Sequence, residues 1–279
     1  MQFAIVDNNR HEAFPSGRGV CPSCGCEVIA KCGPKLIHHW AHHRSRNCDP
    51  WWENETAWHR NWKNLFPAEC REVVHHALDG EIHRADVKSP SGIFIEFQHS
   101  FLTDKERESR EEFYRNLVWV IDGSRFIQNF DIYHPLPDPK SELAEDIIWS
   151  KSRRHYNGSI AGVFFRLSEA RKENPLINKA DVRGGRVHFM EEIHDKVMES
   201  YNGYHQYDWI RPHGVWLSAK CPVYIDFGER LLVKLEVYGD YGLSVIRYVS
   251  KRKFVHDAMT ETTAGEIASR FYNLGDVAM

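Results

Sequence analysis

Residues 82–100 read IHRADVKSPSGIFIEFQHS, and the reading of this stretch decides the fold. Ser89-Pro90-Ser91-Gly92 is a turn signal lying between two short runs rich in apolar residues, which predicts a β-hairpin. The second run is Ile93, Phe94, Ile95, Glu96, Phe97, Gln98. Strand side chains alternate between faces, so Glu96 and Gln98 are expected on one side and Ile95 and Phe97 on the other. Asp86 sits just past the first run. Two acidic groups brought together at the ends of paired strands are what a hard divalent cation requires.

Working outward, the segment before the hairpin predicts a helix from Asp49-Pro50 to about Phe66, stopped by Pro67. Trp51, Trp58, Trp62 and Leu65 recur at helical spacing as a core face. Glu55, His59 and Lys63 form a second stripe at intervals of four. The plain reading of that stripe is a solvated face; the functional one aims Glu55 or His59 at the metal. A strand is expected around Glu72-Val73-Val74. After the hairpin, DKERESREEFYRNL (104–117) predicts a charged helix with a narrow apolar side. Its arginines, Arg107, Arg110 and Arg115, read as solvated charges, of which one or two could hold a phosphate. Val118-Trp119-Val120-Ile121 is a continuous apolar run typical of a buried strand. Residues 50–125 therefore read α-β-β-β-α-β, a mixed sheet flanked by helices.

Residues 1–49 carry five of the seven cysteines: Cys21, Cys24, Cys26, Cys32 and Cys48. Cys21-Pro-Ser-Cys24-Gly followed by His38-His39-Trp40-Ala41-His42-His43 is zinc-ligand spacing. The expected quartet is Cys21, Cys24, His39 and His42, with Cys26, Cys32, His38, His43 and Cys48 as rival ligands. Four protein ligands leave no open coordination position, which gives such a zinc site a folding role. Residues 126–279 say less. A polar, proline-bearing connector is expected over 126–143, and helices over 144–150 and 190–201. Strands are expected at Val215-Trp216-Leu217, Val223 to Phe227, Leu231 to Val237 and Ser244 to Val249. Lys251-Arg252-Lys253 is a basic run, read as a solvated loop or a nucleic-acid contact.

A chain of 279 residues with 42% hydrophobic and 27% charged residues has the composition of a globular protein. No apolar run approaches the ~20 residues of a membrane helix, and the N-terminal residues lack a secretory pattern, so a cytoplasmic location without a membrane partner is expected. A net charge of −3 gives no global footprint of a nucleic-acid binder, leaving any such role to local clusters.

The ordered set CPxCG, His39-Trp40-Ala41-His42, a Glu-x-x-x-His helix, Arg-x-Asp-Val and Ile-Glu-Phe-Gln-x-Ser resembles the competence protein CoiA-like nuclease family, itself similar to the PD-(D/E)XK superfamily. The resemblance runs from about residue 20 to 123 and extends to CPVYIDFGERLL and VSKRKF near the end. It implies an α/β (α+β) fold: a PD-(D/E)XK-like mixed sheet flanked by helices, with an N-terminal zinc-ribbon-like element and a C-terminal strand-rich region. It also implies a Mg2+- or Mn2+-dependent deoxyribonuclease acting in DNA uptake and processing or in defence against foreign DNA. Asp86 and Glu96 would be the metal ligands, with Glu55 contributed by the first helix. Gln98 stands where the superfamily most often has lysine, and an amide can orient a water or a phosphate oxygen but carries neither proton nor charge. His59, Arg84, Arg110, Lys251 and Arg252 would contact nucleic acid, and Ser100 and Tyr114 match family-like positions. Single- or double-stranded DNA is the implied partner, with a homo-oligomer or a protein partner as further options. The competing expectation is a zinc-containing module that grips single-stranded DNA without cutting it, through Trp40, Trp51, Trp52 and the Lys251-Arg252-Lys253 run.

Overall fold

A computed structural model describes residues 1–43, 48, 49, 51, 55–77, 80–239, 241–261, 263 and 264. Packing divides the chain into two compact units, one built on Met1–Ile121 with the stretch that begins at Val255, the other on Asp122–Phe254. The sequence divisions 1–49 and 50–125 thus lie almost wholly in the first unit.

That unit opens with a five-stranded antiparallel sheet: β1 (Phe3–Val6), β2 (Asn9–Glu12), β3 (Arg18–Val20), β4 (Glu27–Lys31) and β5 (His39–His42), in the order β2-β1-β3-β4-β5. Met1, Ala4, Cys21, Val28 and Trp40 form its core. Helix α1 follows at Ala57–Lys63, shorter than the sequence suggested. Thr56 caps it by accepting the His59 N–H, and the His59 ring lies back against Thr56, so the start is fixed by a reciprocal cap. Glu55 and Trp51 therefore precede the helix; Pro50 and Trp52 lie outside the described residues. Leu65, expected in the core face, is 51% exposed, whereas Trp62 is buried. The Glu-His-Lys stripe is not solvated: His59 and Lys63 are both buried.

The second sheet segment of this unit runs β6 (Arg71–His76), β7 (Ile82–Lys88), β8 (Phe94–Gln98), then α2 (Asp104–Tyr114) and β9 (Leu117–Asp122). The order is β6-β7-β8-β9, antiparallel except for the parallel β8–β9 pair. A parallel pair needs a crossover, and α2 supplies it. The β7–β8 turn closes as predicted: the Ile93 N–H donates to Ser89 Oγ at 3.0 Å, and Gly92 sits at φ +88, a region glycine enters without steric cost. Phe97 packs beneath α1, with ring centroids 5.4 Å from Trp62 and 6.1 Å from Trp58. On α2, Arg107 and Arg110 are buried where solvated charges were expected.

In the second unit the elements are β10 (Phe130–Pro135), α3 (Glu142–Asp146), β11 (Ile147–Trp149), β12 (Arg153–His155), β13 (Gly158–Ile160), β14 (Val163–Arg166), α4 (Leu167–Glu173), β15 (His188–Phe189), α5 (His194–Ser200), β16 (Tyr204–Trp209), α6 (Gly214–Leu217), β17 (Val223–Asp226), β18 (Leu231–Tyr238) and β19 (Leu243–Ser250). Five of its strands pair antiparallel in the order β10-β16-β19-β18-β17. Helix α7 (Lys251–Thr260) follows. The connector 126–143 holds β10. Residues 147–149 are strand, not helix. Val215-Trp216-Leu217 is helical, and Lys251-Arg252-Lys253 opens α7 rather than forming a loop. Among the described residues no helix is long and apolar enough to cross a membrane.

Candidate metal and acidic sites

Two clusters of chemistry-bearing side chains lie in the first unit. The first forms where the Cys-x-x-Cys turn meets β5. Gly25, at φ +70, donates its N–H to the Cys21 carbonyl, and the Cys21 N–H donates to the Cys26 carbonyl, so the turn folds back on itself, with Cys21 buried and Cys24 exposed. One donor atom each from Cys21, Cys24, His42 and Cys48 lies within 4.8 Å of every other. Cys21 Sγ and Cys48 Sγ are 3.8 Å apart, and Cys24 Sγ is 3.3 Å from His42 Nε2. Sulfurs bonded at ~2.3 Å around a tetrahedral zinc would stand about 3.8 Å apart. Burial, then the neighbouring Cys21, pushes the Cys48 thiol up to about 12. A cation among these sulfurs removes that penalty by binding them as thiolates. Burial holds the His42 imidazole below its ordinary value, and neutral imidazole is the ligating form. The three thiols and one imidazole are compatible with zinc.

The fourth position of this cluster belongs to Cys48, one of the rival ligands, and not to His39. His39 and His42 are three residues apart on a strand, so they project to opposite faces. His39 Nδ1 is instead 2.8 Å from the Ile37 carbonyl oxygen.

The second cluster lies where β7 and β8 part. Their ladder pairs Lys88 with Phe94 and Val87 with Ile95. At the next step side chains replace backbone partners. The Asp86 N–H donates to Glu96 Oε1 at 3.2 Å, and the Phe97 N–H donates to Asp86 Oδ2 at 3.0 Å. The two carboxylates are thus wedged into the opening fork, each holding the other's strand. Glu96 is buried at 6% exposure, whereas the Asp86 side chain keeps 24% and meets the cavity. Burial, then the Asp86 charge, pushes Glu96 up to about 8, against the pull of Arg110 at 3.2 Å. The pair is short of positive charge, and hard oxygen donors of this kind fit Mg2+ or Mn2+. Among the described residues no third carboxylate joins them at the spacing of the thiol cluster, so the protein offers such a cation two carboxylates.

The same cavity is lined by Glu55, His59, Lys63, Glu72, Arg84 and Arg110, among others. Lys63 Nζ stands 2.7 Å from Glu55, 2.9 Å from Glu72 and 3.9 Å from Asp86. Glu55 gives both oxygens to Arg60, at 2.8 and 2.9 Å. Burial alone would raise the Glu55 carboxyl, but Arg60 and Lys63 hold it at about 2. Glu55 therefore reaches the cavity wall as a neutralised anion. Glu72 accepts the Gln2 N–H on both oxygens at 2.8 Å and the Phe3 N–H at 3.2 Å. Its φ of +47 lies in the left-handed region, an arrangement that costs roughly 1–3 kcal/mol and is held by its surroundings.

Other sequence candidates are placed differently. Gln98 is buried, donates to the Ser100 carbonyl and hydroxyl at 3.3 and 3.4 Å, and is not among the cavity-lining residues. His59 lines the cavity but is tied to Thr56 as a helix cap. Arg84 lines it too, with Nη1 3.1 Å from Met1 Sδ. Arg110 is committed to Glu96, Glu106 and the Trp51 carbonyl. Lys251, in the second unit, pairs with Asp226 at 2.6 Å, and Arg252 is exposed. Lys63 entered the sequence reading only as a member of a stripe, and Glu72 only as part of a strand.

Residues 8–50 match the family model described as competence protein CoiA, N-terminal domain, so the segment that supplies the thiol cluster is CoiA-like. No curated protein and no solved structure matches the chain.

Proposed function

We propose that this CoiA-like chain is a metal-dependent nuclease of PD-(D/E)XK type that hydrolyses DNA phosphodiester bonds. One observation carries the reading. Asp86 and Glu96 face each other across a parting pair of strands, at the wall of a cavity lined by five carboxylates and the cationic side chains Lys63, Arg84 and Arg110. A divalent cation held there would supply Lewis acidity and an acidified water. The residues supply the rest. Asp86 and Glu96 would hold the cation, and Arg110 fixes the Glu96 carboxylate through Oε2 while Oε1 accepts the Asp86 N–H. Lys63 brings an ammonium to 3.9 Å from Asp86 at the cavity wall, a charge that the Gln98 amide cannot carry. The CoiA-type N-terminal domain supports a competence-related setting, DNA uptake and processing, ahead of defence against foreign DNA.

Two of the three tryptophans of the non-cleaving reading are engaged by groups within the protein. Trp40 is 1% exposed and donates to the His11 carbonyl, and Trp51 lies flat on His83; Trp52 lies outside the described residues. One experiment separates the two. Plasmid, linear and single-stranded DNA are incubated with the protein in Mg2+, Mn2+ or chelator, beside Asp86→Asn. Cleavage that needs the cation and falls at least about a hundredfold in Asp86→Asn is expected, because removing a metal ligand forfeits several kcal/mol of charge stabilisation. Binding without cutting in every divalent ion would leave the DNA-gripping module in its place.

A further inference from the structure

The fork between β7 and β8 leaves more than one N–H to be satisfied. Along a strand, N–H groups two residues apart point the same way. Those of Arg84 and Asp86 therefore both face the side from which β8 has departed. Glu96 takes the Asp86 N–H. The Arg84 N–H is taken by Asp49 Oδ2 at 3.0 Å, in a residue only 5% exposed. Asp49 Oδ1 also accepts the Trp51 N–H at 3.0 Å and lies 2.8 Å from His83 Nδ1. Asp49 thus stands in for the missing strand.

Asp49 follows Cys48, the fourth member of the thiol cluster. Two residues on, Trp51 stacks on His83 with ring centroids 3.3 Å apart, and its carbonyl accepts from Arg110 Nη2 at 3.1 Å. The other arm of Arg110 holds Glu96. Both strands of the acidic fork are therefore held by the few residues that begin at one cluster ligand: β7 through Asp49, and Glu96 through Trp51 and Arg110.

We infer that Asp49 is a positioning residue that couples filling of the Cys21-Cys24-His42-Cys48 site to order at the Asp86–Glu96 pair. Zinc bound to Cys48 fixes where Asp49 and Trp51 stand, and these in turn hold the fork in the shape that receives the second cation. The CoiA-like segment is then the assembly switch of the acidic site as well as a folded appendage to it. The functional consequence rests on the nuclease reading, whereas the coupling itself rests only on these contacts.

The test is hydrogen exchange followed by mass spectrometry on the full chain, zinc-loaded, zinc-stripped, and as Asp49→Asn carrying one equivalent of zinc. A buried hydrogen bond to a charged acceptor protects strongly, so peptides covering residues 84–87 and 96–97 should exchange roughly tenfold faster or more on stripping and in Asp49→Asn. Peptides of β18 and β19 should keep their rates. Binding of Mn2+ alone, read by its paramagnetic resonance, should weaken at least about tenfold in Asp49→Asn while zinc content stays at one. Unchanged exchange at 84–97 in Asp49→Asn overturns the coupling. So does loss of protection spread through β1 to β4, which would make Asp49 a general core residue. If stripping unfolds the first unit, the zinc-loaded Asp49→Asn comparison decides. A wild type that shows this exchange pattern but binds no Mn2+ would sink the nuclease reading and leave the coupling standing.

Discussion

Lys63 is buried to 2% exposure, yet it meets three carboxylates. Removing one partner of a buried charge network strands the others, at a cost of about 3–5 kcal/mol. Lys63→Met should destabilise by that amount at neutral pH, and the pH dependence identifies the cause. In the wild type, Glu55 at about 2 and Glu72, held well below its ordinary 4.5, contribute stability that is present above 4.5 and lost as the pH falls through their folded values. Lys63, raised above its ordinary 10.5 by Glu72, Asp86 and Glu55 against burial, contributes below 10.5 and loses that contribution as the pH rises through its folded value. Stability from this network should therefore be level between those limits. Without Lys63, Glu72 and, less so because Arg60 remains, Glu55 bind protons more readily, so the deficit should shrink toward pH 4 and be full at pH 7. Urea midpoints at pH 4, 5.5 and 7 read this directly. An equal deficit at all three would assign the loss to packing instead. The spacing of Glu55, His59 and Lys63 placed these side chains near one another, but it could not show their burial. What makes burial tolerable is Glu72, nine residues past Lys63 and on another element, which no periodicity connects to it.

At the scale of elements, the hairpin was legible almost to the residue, because the Ser89-Pro90-Ser91-Gly92 turn signal between two short apolar-rich runs speaks locally. The zinc quartet was legible in kind but not in membership. The two histidines of His39-Trp40-Ala41-His42 would share a face on a helix, three residues apart, but they part on a strand, and β5 is a strand. The fourth donor then comes from Cys48, which no motif spacing ties to the other three. His39→Ala should accordingly retain one equivalent of zinc, whereas His42→Ala and Cys48→Ser should lose it on mild chelation. Zinc analysis of the purified proteins checks this, and a His39→Ala protein that arrives without zinc would restore the quartet suggested by the motif. The same kind of limit explains the early strand at 147–149 and the helix at 214–217: short apolar runs fit either period, and tertiary pairing with β14 decides the first of them.

For the whole molecule, 36 lysines and arginines stand against 39 acids, and two of the five residues proposed to touch nucleic acid, Arg110 and Lys251, are already paired, as is Lys63 of the cavity wall. Arg110 is bound to Glu96 and Glu106, Lys63 to Glu55 and Glu72, and Lys251 to Asp226. A protein that grips DNA through many free cations releases many counterions and shows a steep salt dependence. On the nuclease reading, phosphate would be held chiefly through a cation at Asp86 and Glu96, together with few direct contacts. Binding to a short DNA duplex should therefore depend on a divalent ion; Ca2+, a hard cation with the same preference for oxygen, should serve as the probe. Replacing Ca2+ by chelator should weaken binding at least about tenfold. With Ca2+ present, log affinity against log salt should have a slope no steeper than about −3, corresponding to roughly three neutralised phosphates. Fluorescence anisotropy over a series of salt concentrations measures both quantities. Affinity that survives chelation with a slope of about −5 or steeper would place the DNA on an extended basic face away from the acidic fork, and the cation would then have no part in holding it.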